Sequence, residues 1–367
     1  MYKLLIAKRR FESLIMSPFV MLGKLWAVLD RQKEDFDIYF FFPFYHIGGA
    51  EKVHYQITQA FVGKKCIIYF TRKSKGENFL EEFKKAGFVI KDISRFTDNK
   101  FIYPFNFIFR GILSYKINHN KSRALVFNGQ SNFGYKVSPW ISARIPQVDL
   151  IHALSSFSKI RIPFLEFYRI SVTVSQEIID KHEHLYQKKG VPQKIRNNIH
   201  YINYGIELPE RTGKTNFGRD VKLLYVGRGS EEKRIYLVAR MAEAMHNLGN
   251  DLQFSFLGDV DKYVPQDLRK YCRFYGTITD QNSVDSIYRE HNILLVTSYT
   301  ESGPLVVMEA MARGLCIIST PVGIVNEHIL PDRNGFVFSS IENETLIVEE
   351  AIGYINKFAA DITLQKA

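Results

Sequence analysis

The chain has 367 residues, more than one ordinary core supports, so two domains are expected. Its 46% hydrophobic and 24% charged residues, with 20 Tyr and 29 Phe, exclude a disordered chain. The net charge of +11 is unevenly divided: residues 1–200 hold 32 Lys and Arg against 16 Asp and Glu, leaving 17 against 22 in the rest, so the N-terminal half is the part fitted to anionic surfaces or ligands.

At the N-terminus Lys3, Lys8, Arg9 and Arg10 precede a run from Ser13 to Leu29 that carries only Lys24 as a charge and contains Pro18. No stretch reaches 18 uninterrupted apolar residues, and no small-residue cleavage site follows the run. Residues 1–35 therefore read as a basic, amphipathic extension: a helix lying on an anionic bilayer, or one packed on its own domain.

Beyond it, apolar strand-like runs alternate with amphipathic stretches. Asp37 to Phe42, Lys65 to Phe70, Ala124 to Asn128, Val148 to His152 and Ser171 to Val174 read as parallel strands buried on both faces, with a helix over Ala50 to Phe61. The pattern breaks in YGIELPERTGKTNFGRD and then restarts with strands at Lys222 to Val226, Gln253 to Leu257, Ile293 to Thr297 and Cys316 to Ser319. The expected fold is α/β, with two doubly wound Rossmann-like domains facing across a cleft. Boundaries are expected at 36–205 for the first domain, 206–220 for a linker, 221–340 for the second domain, and 341–367 for a C-terminal helix that returns toward the first. Cys66, Cys272 and Cys316 lack CxxC spacing and read as reduced thiols, which argues against a disulfide framework or a zinc site.

ILLVTSYTESGPLVVMEAMARG, residues 293–314, reads as strand, short loop and helix, with Pro304 at the first helical position and Gly314 at the stop. Only Glu309 and Arg313 are charged within this helix, and Glu301 stands just before it. Were a nucleotide sugar to lie across the helix start, the unpaired N–H groups from Gly303 onward would hold the diphosphate, Glu301 would accept from sugar hydroxyls and Glu309 from a ribose. The alternative for Glu309 is an acid that complements the helix dipole.

Glu301 and Glu309 around SGPLVVM resemble the E-x7-E signature of retaining glycosyltransferases of the GT-B fold, family 4. STPVG at 319–323 and NGFVF at 334–338 follow in the order that family shows. Arg228 and Lys233, in VGRGSEEKRI, are similar to its Arg-x4-Lys pair, which grips the donor diphosphate; Arg234 stands where the family usually has Gly. Gly48 and Gly49 after the first strand resemble the Gly-Gly-x-Glu start, where glycines let backbone N–H groups approach a phosphate. His152, ending QVDLIH, is similar to the family histidine that bonds the donor sugar or an acceptor hydroxyl.

The resemblance implies transfer of a sugar from a UDP- or GDP-sugar with retention of configuration, with no metal ion and no cofactor. Glu301, His152, Arg228 and Lys233 would take part in the chemistry, while Gly48, Gly49, Ser302, Gly303, Pro304, Leu305 and Glu309 would bind donor. Asp259 and Asp261 form a D-x-D outside the context in which that pair binds metal. The basic half suits a saccharide or lipid-linked acceptor in surface polysaccharide or glycolipid assembly, with the protein in the cytoplasm, either free there or peripheral on the inner face of the plasma membrane. Alternatives are a sugar-nucleotide epimerase or hydrolase on the same fold, or a non-catalytic nucleotide-sugar-binding subunit. No nucleic-acid module is present, so nucleic acid is not an expected partner.

Overall fold

The computed structural model describes residues 1–30, 34–46, 48–76, 78–99, 101–121, 123–206, 208, 220–361 and 364–365. The chain divides into two compact units, Met1–Asn203 and Tyr204–Ala367. Most of the expected linker lies outside the described residues.

The first unit is built on strands β1 (Ile38–Phe42), β2 (Cys66–Phe70), β3 (Val89–Asp92), β4 (Leu125–Asn128), β5 (Gln147–Ile151), β6 (Ile170–Thr173) and β7 (Ile199–Tyr201). They form one sheet in the order β3-β2-β1-β4-β5-β6-β7, every pair parallel. All five residues of β1, IYFFF, are buried because the strand is covered on both faces. Tyr39 and Phe41 join a core with Ile67, Leu113, Val126 and Phe133, while Phe40 and Phe42 meet Phe61, Phe70, Phe83 and Phe127 on the other side.

Helix α1 (Tyr2–Leu29) belongs to this unit. It packs along a later helix whose sequence, YPFNFIFRGILSYKIN, includes Gly111. A Cβ at Gly23 would run into the carbonyl oxygen of Ile108, and one at Gly111 into that of Val20, so the two helices cross with their backbones in contact. Arg9 fixes the near end by donating to the Pro163 carbonyl (2.6 Å) and pairing with Glu166 (2.8 Å). Lys116 pairs with Asp30 (2.6 Å) at the far end. The opposite face of α1 is exposed and apolar, with Leu4, Phe11, Leu14, Ile15, Leu22, Leu25 and the 70% exposed Trp26. The remaining long helices of this unit are α2 (Gly49–Gln59), α3 (Asn78–Lys85), α4 (Tyr103–Asn118, the partner of α1) and α5 (Gln176–Lys189).

The second unit carries β8 (Lys222–Val226), β9 (Gln253–Leu257), β10 (Cys272–Gly276), β11 (Ile293–Val296), β12 (Cys316–Ser319) and β13 (Gly335–Val337), in the order β10-β9-β8-β11-β12-β13, again parallel throughout. Its long helices are α6 (Ile235–Asn247), α7 (Gln281–Glu290) and α9 (Glu344–Ala360), with the seven-residue α8 (Leu305–Met311) between the last two. Ile347, Ala351, Ile355 and Phe358 of α9 enter the same core as Leu237 and Met241 of α6. Two parallel, helix-flanked sheets are the two Rossmann-like domains of the GT-B fold expected from the sequence. Cys66 and Cys316 are buried and Cys272 half-buried, none of them in a disulfide; burial pushes Cys66 up to about 11 and Cys272 to about 12.

Candidate active site

Two loops at the carboxyl ends of adjacent strands make the site in the second unit. After β8 the chain runs through Gly227, Arg228, Gly229 and Ser230 into a single 3-10 turn, Glu231–Lys233, and then α6. Gly229 has no room for a side chain: a Cβ would strike the Tyr263 ring, and its N–H donates to the Asp259 carbonyl (2.6 Å). After β11 the second loop runs from Thr297 to Pro304. Thr297 Oγ1 donates to the carbonyls of Lys233 (2.9 Å) and Arg234 (3.1 Å), and the Tyr299 N–H donates to the Glu232 carbonyl (2.7 Å), so the loops are laced together.

This lacing brings Lys233 and Glu301 into an ion pair, with both side chains mostly buried. Ser298 Oγ also donates to Glu301 Oε1 (2.8 Å). Burial, reinforced by the Glu301 carboxylate, raises the Tyr204 and Tyr225 phenols well above their usual range. Arg228 is exposed and, among the described residues, makes no ion pair. Beside it the buried Ser230 hydroxyl has no protein partner among the described residues.

Arg234 resolves what its departure from glycine does to the loop. Its backbone is left-handed (φ 46°, ψ 46°), the conformation for which glycine is the natural occupant. The side chain compensates: Nε donates to the Thr297 carbonyl (2.9 Å), Nη2 to that of Ser298 (3.4 Å) and Nη1 to that of Ile341. The residue after Lys233 therefore clamps the loop that carries Glu301.

Glu309 lies on α8, which starts at Leu305, so Pro304 is the residue capping the helix rather than its first member. Glu309 Oε2 accepts from the hydroxyl of the fully buried Tyr288 (3.1 Å), and Arg313 donates to the Glu309 carbonyl (3.0 Å) while pairing with Asp285 (2.7 Å). Behind Glu301, Ser302 and Gly303 lies the STPVG turn. Gly323 there has φ 58°, a Cβ on it would meet the Ser302 carbonyl, and Thr320 Oγ1 donates to the Ser298 carbonyl (2.7 Å). In NGFVF, Gly335 leaves β13 free to lie against the Ile317 carbonyl. Of the D-x-D, Asp261 pairs with Arg269 (2.8 Å), and among the described residues no three His, Cys, Asp or Glu side chains gather as a metal site.

In the first unit, Gly48 caps α2 and Gly49 begins it. A Cβ at Gly48 would collide with the carboxylate of the buried Glu51, which lies 3.9 Å from His46, whereas a Cβ at Gly49 would meet nothing within 4 Å. His152 follows the end of β5; its N–H donates to Gln130 Oε1 (3.0 Å) and its Nε2 lies 2.8 Å from Nε2 of His54 on α2. At the carboxyl ends of β1, β2 and β3 there is an open cavity of about 860 Å³ lined by Tyr45, Lys73, Lys75, Asp92, Arg95 and Phe101.

Comparison with known proteins supplies the class of chemistry. The family profile described as glycosyl transferases group 1 matches residues 220–355, the span that holds Arg228, Lys233, Glu301 and Glu309. That span lies within the second unit. Among solved structures, HepE from Anabaena in complex with UDP and glucose shares 15% identity at a TM-score of 0.67, covering 90% of this chain and 92% of that one. The apo lipopolysaccharide outer core galactosyltransferase WaaB gives 15% and 0.64 over 88% and 90%. Sucrose-phosphate synthase from Thermosynechococcus elongatus gives 16% and 0.62 over 90% and 91%. At such identities the likeness shows the fold, GT-B, and the profile match over residues 220–355 supports an enzyme that transfers sugar from a nucleotide sugar. No curated protein matches the sequence.

Several residues of this site were not singled out from sequence. Tyr288 sits in VDSIYRE at what looks like an ordinary apolar helix position, Ser230 looks like a common loop residue, and Thr297 reads as the last residue of a strand. His54 carries a weak signal, as a histidine on the apolar stripe Val53, His54, Ile57 of α2.

Proposed function

We propose that the protein is a retaining glycosyltransferase resembling family 4, moving a sugar from a UDP- or GDP-sugar to a saccharide or lipid-linked saccharide in surface polysaccharide or glycolipid assembly. The observation that carries this reading is the Lys233–Glu301 pair, which sets a cation for the donor diphosphate beside a carboxylate for sugar hydroxyls, with Arg228 exposed at the same loop. Cations there stabilise the nucleoside diphosphate as it leaves, when its negative charge grows, and so favour the transition state over the ground state. Tyr288 holds Glu309 for the ribose, and Ser302, Gly303 and Leu305 offer backbone N–H groups to phosphate. Gly48 and Gly49 on the first unit are assigned to phosphate of the donor, and His152 to the donor sugar or an acceptor hydroxyl. No step requires a metal ion.

The basic first unit supports an anionic acceptor or surface. Helix α1 turns a stripe of exposed Leu, Ile, Phe and Trp outward, with Lys3, Lys8 and Arg10 at its start, which fits the headgroup region of an anionic bilayer on the cytoplasmic side. Co-sedimentation with anionic vesicles, weaker with neutral ones, is expected; monomeric protein with no vesicle binding would remove this part of the reading.

The donor is tested by thermal shift across UDP- and GDP-sugars, since a ligand of the native state raises stability by mass action. Transfer with a matched donor, followed by NMR of the product anomer, then tests retention. Consumption of donor without acceptor would instead identify an epimerase or hydrolase, and binding without turnover a partner subunit.

A further inference from the structure

The pairing of His54 with His152 goes beyond the donor site. The two imidazoles meet Nε2 to Nε2 at 2.8 Å, with ring planes at 69°. Such a contact holds one proton: one ring donates and the other accepts. The pair is built into the unit. His54 stacks on Phe42 (4.1 Å between centroids, planes 11° apart), and a Cβ at Gly129 would collide with its Nε2. Gln130, which takes the N–H of His152, is held at φ 62°, an uncommon conformation for a residue with a side chain.

The second nitrogen of His54 settles the direction of the proton. Nδ1 of His54 is buried and, among the described residues, has no hydrogen-bond partner. A buried N–H without an acceptor is among the rarest arrangements in proteins, so the proton of His54 resides on Nε2 and Nδ1 is left bare. His54 Nε2–H then donates to His152 Nε2, and the proton of neutral His152 sits on Nδ1.

We propose that His54 is a positioning residue that locks His152 as a neutral hydrogen-bond donor through Nδ1, so that His152 binds a sugar, phosphate or acceptor oxygen and does not serve as a general base. The proposal rests on the reading of His152 as a ligand-facing residue of a glycosyltransferase. Burial pushes His152 down to about 4, and burial together with His152 holds His54 well below its usual range, which keeps both rings neutral. Charged groups on the packed elements are engaged elsewhere: Glu51 of α2 lies beside His46, and Asp149 of β5 is paired with Arg161 (3.0 Å).

The test uses the full chain with ¹⁵N-labelled histidine. The ring nitrogens of His152 should report a proton on Nδ1 alone in the wild type and a mixture of tautomers in His54→Phe, which removes the donor that fixes one of them. His54→Gln, whose amide N–H reaches a similar position, should restore the Nδ1–H form. With a turned-over donor, His54→Phe should lower kcat roughly three- to tenfold, the worth of one hydrogen bond, with KM little changed and His54→Gln largely rescued. An Nε2–H His152 in the wild type, or equal losses in both variants, would overturn the proposal. Absence of transfer from every nucleotide sugar would defeat the glycosyltransferase reading, while the ligand-free tautomer would still decide the histidine pair.

Discussion

The ammonium of Lys233 is paired with the carboxylate of Glu301 although 68 residues separate them, because the loops after β8 and β11 are bound to one another through Thr297, Tyr299 and the Arg234 side chain. Each charge holds the other in place, and a donor must take over both roles. Lys233→Ala is therefore expected to lower kcat/KM by roughly a hundredfold or more, as for removal of one preorganised electrostatic contact. Glu309→Ala should act mainly through KM for donor, by about ten- to a hundredfold, because it removes an ionised acceptor. Steady-state kinetics with a matched nucleotide sugar checks both, and wild-type values in the two variants would refute the assignments.

Arg234 permits a separation of backbone strain from side-chain clamping. Arg234→Ala keeps the left-handed strain and loses every guanidinium bond, whereas Arg234→Gly loses the bonds but relieves the strain. Chemical denaturation should place Arg234→Gly above Arg234→Ala by about 1 kcal/mol, with both below the wild type. Both variants should also lose turnover, since the Glu301 loop would lose its fastening to Thr297 and Ser298.

At the crossing of α1 and α4 the two glycines leave no space for side chains. Gly23→Leu or Gly111→Leu is expected to cost about 1 to 3 kcal/mol, the usual penalty for overpacking. Limited proteolysis should then cut within α1 of these variants and spare the wild type. Gly49→Ala, whose new Cβ meets nothing within 4 Å, serves as a comparison and should stay near wild-type stability.

Buried histidines predict an acid-sensitive fold. His152 and His182 are each pushed down to about 4 by burial, so the unfolded chain binds protons at these sites from about pH 6.5 downward while the folded chain does not. Stability is fully present above pH 6.5 and falls as pH drops toward 4, by about 1.4 kcal/mol per pH unit for each site over that window. Thermal denaturation between pH 7 and 5 should show Tm falling. His182→Gln should flatten the slope, and an unchanged slope would contradict the assignment for that residue.

The sheets were legible from sequence because parallel strands buried on both faces read as uninterrupted apolar runs, of which IYFFF in β1 is the plainest. Glu301, Glu309, Arg228 and Lys233 were singled out because the motifs around them resemble those of a glycosyltransferase family, with Glu301 just before a predicted helix and Arg228 just after a predicted strand. What joins them was not. The Lys233–Glu301 pairing, the Tyr288 hydroxyl behind Glu309 and the His54–His152 contact span 68, 21 and 98 residues, and no local pattern reports which strand ends will be neighbours. Arg234 was visible as a departure from glycine, but only its reach to three carbonyls explains how the position tolerates it. The N-terminal run left two readings open because one helix does both things: it seats one face on its own unit and shows an apolar face to solvent.

That seating changes how the N-terminus should be handled in practice. Removing residues 1–35, a natural step for anyone wishing to improve solubility, would strip α4 of the helix that lies against Gly111 and leave Lys116 and Glu166 without their partners Asp30 and Arg9. The truncated protein would exchange one exposed apolar strip for a freshly opened groove, and would be stickier than the chain it came from. Replacing outward residues such as Trp26 and Leu25 with polar ones reaches the same practical goal and keeps the glycine seam closed.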